Sequence, residues 1–175
     1  MKQIFLFYKS IIFEISKKDI NSNQSTYNIY GHSAGAQFVH RMMMFHNCKY
    51  VDKIVAANAG VYTFPNERVD FPYGIMNYTK NKVFDYNKVF QKSFVLMLSL
   101  GDTIRDSSLN KTIEADAEGK NRLERGNSFF YYSDSISQRR NCKFNWACHY
   151  IEGGHSSASL VPTAAKLLYS VTDIF

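Results

Sequence analysis

Gly31-His32-Ser33-Ala34-Gly35 is a G-x-S-x-G run, and its flanks say what it can do. Residues 26–31 (TYNIYG) are aromatic and β-branched and predict a strand. Residues 34–46 carry Phe38, Val39, Met42 and Met43 and predict a helix with a buried stripe. A serine on the sharp turn between strand and helix has a strained backbone and an exposed hydroxyl. Gly31 and Gly35, two residues either side, are expected where side chains would collide. The helix start points N–H groups and partial positive charge at the same place. The Ala34 N–H is thus placed to hold a developing oxyanion. The chemistry this allows is attack by Ser33 on a carbonyl carbon.

A serine hydroxyl needs a base. The histidines are His32, His40, His46, His149 and His155. His40 and His46 fall on the helix after Ser33, where they pack or face solvent. His32 lies inside the turn, able to line a pocket but badly placed to reach back to Ser33. His149 lies within a predicted strand. His155 follows that strand in a Gly-Gly loop and is the candidate base. A carboxylate is then required to orient the imidazole. Asp102 directly follows the most apolar strand and is preferred; Asp106, four residues on, stays open as the alternative acid.

The elements that must carry these groups alternate along the chain. Residues 53–58 (KIVAAN) and 93–100 (SFVLMLSL) read as strands buried on both faces. A short helix is expected around 84–91, an irregular polar stretch over 103–117 and a helix over 118–140. A strand over 144–151 and a final helix over 157–172, with Pro162 in its first turn, complete the order. At the front, Ile4, Tyr8, Ile11, Ile12 and Ile15 recur at helical spacing and predict an amphipathic helix over 2–17. Lys9 and Glu14 interrupt its apolar run, which is too short to span a membrane. The alternation argues for an α/β fold, a mostly parallel sheet with helices on both faces. Such sheets bind ligands beyond the carboxyl ends of their strands. Ser33, Asp102 and His155 all fall there.

The whole composition is globular: 45% hydrophobic and 21% charged, with a formal net charge of +6. The basic residues are scattered, the tightest groups being the pairs Lys17-Lys18 and Arg139-Arg140, so they read as solvated faces and not as a nucleic-acid surface. Cys48, Cys142 and Cys148 have no metal-binding spacing. They are expected as thiols, at least two of them buried; a Cys142–Cys148 bridge is the alternative in an oxidising compartment. The loop 59–80 is rich in aromatics. Tyr62, Phe64, Phe71, Tyr73 and Tyr78 either shape the acyl or leaving-group pocket or fold over the core.

With these residues in place the sequence resembles the α/β-hydrolases, in particular bacterial esterases and poly(3-hydroxybutyrate)-depolymerase-like proteins. The matching stretches are 27–45 (YNIYGHSAGAQFVHRMMMF), 55–65 (VAANAGVYTFP), 71–74 (FPYG), 114–132 (EADAEGKNRLERGNSFFYY), 144–146 (FNW) and 152–157 (EGGHSS). The resemblance implies hydrolysis of a small or polymeric carboxylic ester through an acyl-enzyme; the alternatives are a non-catalytic, degenerate hydrolase domain, or a peptidase or thioesterase using the same three groups. Ser33 would be nucleophile, His155 base and Asp102 its orienting acid, with no metal and no organic cofactor. It also implies strands ahead of the nucleophile strand, one of whose loops supplies a second oxyanion donor. About 30 residues precede Ser33, so the chain reads as a single, partial hydrolase domain lacking its first strands. Compartment, oligomeric state and natural substrate do not follow from the sequence.

Overall fold

The computed structural model describes residues 23–78 and 83–169. The helix expected over 2–17 lies outside them. Four strands form one parallel sheet in the order β1-β2-β3-β4: β1 (Tyr27–His32), β2 (Val51–Ala57), β3 (Ser93–Ser99) and β4 (Trp146–Ile151). Sequence order equals spatial order, so each crossover returns to the neighbouring position and every strand ends at the same edge.

The strand sequences alternate between two buried faces. On one face Ile54, Ala56, Phe94, Leu96 and Leu98 pack with Ala36, Val39 and Met43 of helix α1 (Ala34–Phe45) and with Phe129 of helix α4 (Arg122–Arg139). On the other, Val55, Ala57, Val95 and Met97 pack with Leu160, Ala164, Leu167 and Leu168 of helix α5 (Leu160–Tyr169). The central strands are therefore buried from both sides, which accounts for their continuous apolar runs. Helix α2 (Tyr86–Phe90) sits in the crossover from β2 to β3, capped by Asp85, whose carboxylate accepts from the Lys88 N–H at 3.0 Å. Among the described residues no helix is long and apolar enough to cross a membrane.

Two features correct the expectations. The stretch 103–117 is not irregular throughout: helix α3 (Ile113–Glu118) begins in it, capped by Thr112, whose hydroxyl accepts from the Ala115 N–H. The helix expected over 118–140 is α4 (Arg122–Arg139), separated from α3 at Gly119 (φ 154°) and started by Asn121, which accepts from the Glu124 N–H at 2.9 Å. Short polar caps set both starts, and no apolar periodicity announces them. The cysteines are free thiols, but only Cys48 is buried; Cys142 lies in the loop before β4 and Cys148 on β4, both partly exposed.

Helix α3 ends by delivering Glu118 beneath the loop after β2. Its Oε2 accepts the Tyr62 N–H at 2.9 Å, while its Oε1 has no partner among the described residues. Burial is the main cause that pushes this carboxyl up from 4.5 to about 8, against the Tyr62 N–H and the nearby Arg125 and Arg41, which favour the charged form. A folded value above the unfolded one means a stabilising contribution that is complete below about 4.5 and lost as the pH rises through about 8. Denaturant unfolding should show the parent chain losing roughly a few kcal/mol against Glu118→Gln between those limits. Parallel pH profiles for the two proteins would contradict this assignment.

Candidate active site

Each of the four strands delivers one side chain to the same edge. After β1 the chain turns at Ser33, whose backbone has φ 54° and ψ −115°, a strained conformation for a non-glycine residue. The turn is held from both sides. The Ser33 N–H extends the sheet by donating to Ala57 O at 2.9 Å, and the Ser33 carbonyl accepts the first bond of α1 from Gln37 at 3.1 Å. Ala34 is the first helical residue and is exposed. Its N–H has no acceptor within the helix, as in any first turn.

The glycines of the turn are not equivalent. A Cβ at Gly31 would lie 2.4 Å from Gly35 O and 2.9 Å from Val39 Cγ2, so strand and helix can approach only if residue 31 lacks a side chain. A Cβ at Gly35 would meet nothing within 4 Å. The collision expected at both positions is real at Gly31 alone.

After β4, His155 comes back over the sheet edge. Its Nδ1 lies 2.7 Å from Asp102 Oδ2 and its Nε2 3.1 Å from Ser33 Oγ. A carboxylate only accepts, so Nδ1–H donates to Asp102; Nε2 is then free to accept from the serine hydroxyl. Asp102 is only 2% exposed, so its pull on the imidazole is little screened by water. The loop is fixed by its backbone. Gly101 N–H donates to Gly153 O at 2.9 Å, joining the loops after β3 and β4. Gly153 has φ 101°, and a Cβ there would lie 2.7 Å from Ser157 Oγ.

Asp106, the alternative acid, is occupied elsewhere. It faces Arg122, with Nη1–Oδ2 at 3.1 Å and Nη2–Oδ1 at 3.4 Å. Hydrogen bonds from Arg122 and Ser108 hold its carboxyl well below the usual range. Arg122 is buried and its Nη1 also lies 3.5 Å from Asp102 Oδ1. The two aspartates thus flank one guanidinium, and Asp102 is the one within reach of His155.

Two more residues hold His155 from behind. The His32 ring donates through Nε2 to the His155 carbonyl at 2.7 Å, and Asn58 Nδ2 donates to the same oxygen at 3.2 Å. Asn58 (φ 51°) is buried and also bonds Ser99 twice, its Nδ2 donating to Oγ at 2.8 Å and its Oδ1 accepting the N–H at 2.9 Å. His32 therefore faces His155 and not Ser33. Asn58 carries no signal in the sequence beyond its position as the last residue of a predicted strand.

His40 is fully buried and neutral. It donates from Nδ1 to Ala36 O and accepts the Thr63 N–H at Nε2, and burial lowers its pKa to about 3. His149 is partly buried on β4, in register with Met97 and away from this cluster.

The aromatic loop divides. Tyr62 is fully buried in the core, stacked on Phe129 with 4.8 Å between centroids, and Phe64 packs edge-on to Phe129 and Tyr132. Tyr62 and Phe64 thus follow the second of the two expectations, a loop folded over the core. Tyr73 bonds Thr112 and Asn110 through its hydroxyl. A groove of about 280 Å³ does open beside Ala34, lined by Gln37, Phe38, Arg41, Phe45, Phe71 and Tyr78 among others. Phe38, expected in the buried stripe, is 48% exposed there.

The same architecture recurs in solved structures. One is poly(aspartic acid) hydrolase-1 from Sphingomonas sp. KT-1, with 34% identity and a TM-score of 0.81 over 91% of this chain and 61% of that one. Another is LpqC, a poly(3-hydroxybutyrate) depolymerase from Bordetella parapertussis, with 22% identity and a TM-score of 0.82 over 95% of this chain and 56% of that one. The chain has the α/β-hydrolase fold. It spans about three fifths of the length of these two hydrolase-fold proteins. No family model matches the sequence, and no curated protein does.

The asymmetry of the turn is directly testable by thermal or denaturant unfolding. Gly31→Ala should cost on the order of 3 kcal/mol. Gly35→Ala should be neutral or stabilising by up to about 1 kcal/mol, since alanine is the better helix former. Equal effects would mean that strand and helix are not in contact at Gly31.

Proposed function

We propose that this chain is a serine hydrolase acting on carboxylic esters through an acyl-enzyme. The observation that carries the reading is the continuous hydrogen-bonded chain Asp102–His155–Ser33, at 2.7 and 3.1 Å. Ser33 Oγ attacks the ester carbonyl as His155 Nε2 takes its proton. The negative charge that develops on the carbonyl oxygen is met by the Ala34 N–H at the start of α1. The protonated imidazole, stabilised by Asp102, then gives its proton to the departing alkoxide. Water repeats the sequence on the acyl-serine and regenerates the hydroxyl. Each step moves one proton at His155, which is why its tautomer must be fixed by Asp102. A hydrolase neighbour at 34% identity and the G-x-S-x-G turn support the same reading.

One observation favours a second bond type. The Sphingomonas neighbour is named for poly(aspartic acid), a polyamide, whereas LpqC is named for a polyester. The same three groups can cleave an amide when the leaving nitrogen is protonated by His155. Rates on matched ester and amide substrates separate the two.

Kinetics of single substitutions test the assignment. Ser33→Ala should lower kcat by about 10⁶-fold and Asp102→Asn by about 10⁴-fold. Asp106→Asn should stay within about tenfold, since its carboxylate touches Arg122 and not His155. Turnover that survives in Ser33→Ala would overturn the nucleophile. Losses in Asp106→Asn that match those in Asp102→Asn would overturn the choice of acid.

A further inference from the structure

The groove beside Ala34 contains a charge that the fold leaves largely unused. Ala34, Gln37, Phe38, Arg41, Met42 and Phe45 recur at intervals that put them on one face of α1. Phe71 and Tyr78 face them from the loop, with Phe45 and Tyr78 ring centroids 4.0 Å apart and Phe71 and Tyr78 4.9 Å apart. Arg41 stands within this aromatic lining. Its Nε donates to Thr63 Oγ1 at 2.9 Å and its guanidinium carbon lies 5.5 Å from the Phe71 ring centre. These contacts fix the plane of the guanidinium. Among the described residues, none accepts a hydrogen bond or forms an ion pair with its two Nη groups.

The charge is also poorly compensated from within. The carboxyl that acts on Arg41 is Glu118, which Arg125 shares. Burial pushes Glu118 up to about 8, so near neutral pH it is mostly uncharged. Arg125 spends its donors on Gly60 O, Asn110 O, Gly119 O and Asp116. A planar, pre-oriented fork whose Nη donors have no partner among the described residues, in a cleft lined by Phe38, Phe45, Phe71 and Tyr78, is suited to a carboxylate.

We propose that Arg41 forms a subsite for a carboxylate on the substrate, so that the groove selects esters whose acyl or alcohol part carries an anionic group. The inference rests on the serine-hydrolase reading for its link to turnover. Arg41 follows Ser33 by eight residues, about 12 Å along the helix axis, which places the anion several bonds from the reacting carbonyl. Arg41 would be a specificity residue, binding substrate without taking part in proton transfer.

Paired 4-nitrophenyl esters of equal chain length test this: the neutral hexanoate and the mono-ester of adipic acid. The full chain should prefer the anionic ester. Arg41→Gln should lower the anionic-to-neutral ratio of kcat/KM by about 10–100-fold, and Arg41→Lys, which keeps the charge but not the fork, should lower it less. Equal losses on both esters, or a preference that survives in Arg41→Gln, would overturn the subsite. Should neither ester turn over, the serine-hydrolase reading falls, and adipate binding followed by NMR decides the subsite alone. Binding abolished by Arg41→Gln supports it; no binding by the parent chain overturns it.

Discussion

The 2.7 Å hydrogen bond between His155 and Asp102 is the constraint on which the sheet edge is organised. It joins the loops after two neighbouring strands, and it can form only if those loops stay zipped. The Gly101–Gly153 backbone bond, the bonds of His32 and Asn58 to the His155 carbonyl and the burial of Asp102 all serve that end. Asn58 matters doubly. It is the residue after β2, yet it holds the residue before the acid loop and the loop that carries the base. One buried side chain thus ties three strand ends together, and such fully bonded polar groups fix a single geometry more firmly than apolar packing does.

Parallel pairing makes this economical. Because all four strands run the same way in sequential order, four successive strand ends face the same volume. The chemistry can then be assembled from single residues that follow strands: Ser33, Asn58, Asp102 and His155. The same volume is walled by α1, whose first residues hold the turn and whose later residues line the groove. In the proposed reading, nucleophile position and substrate selection are coupled through one helix.

Much of this is legible in the sequence because the responsible signals are local. Strand-like runs ending at Ser33, Asp102 and His155 put three groups at one edge without any distance. A parallel sheet with helices on both faces follows from the alternation of the elements; the order of its strands does not. What stays hidden depends on tertiary placement. In the sequence Asp102 is favoured over Asp106 only by its place directly after a strand; in the structure the reach of His155 separates them, since Arg122 touches both. Arg122 and Arg125 are buried on a helix whose sequence is mainly polar, so no apolar stripe marks their face as inward. Tyr62 and Phe71 belong to one aromatic loop, and nothing in their types says that the first enters the core and the second reaches the groove. The break at Gly119 depends on a backbone angle that composition does not encode.

The central claim, that Ser33 is a nucleophile activated by His155, is tested most directly by labelling the chain with a fluorophosphonate and mapping the modified peptide. Stable phosphonylation at Ser33 that is lost in His155→Ala is the predicted result. Labelling at another residue, or at Ser33 with undiminished rate in His155→Ala, would contradict it.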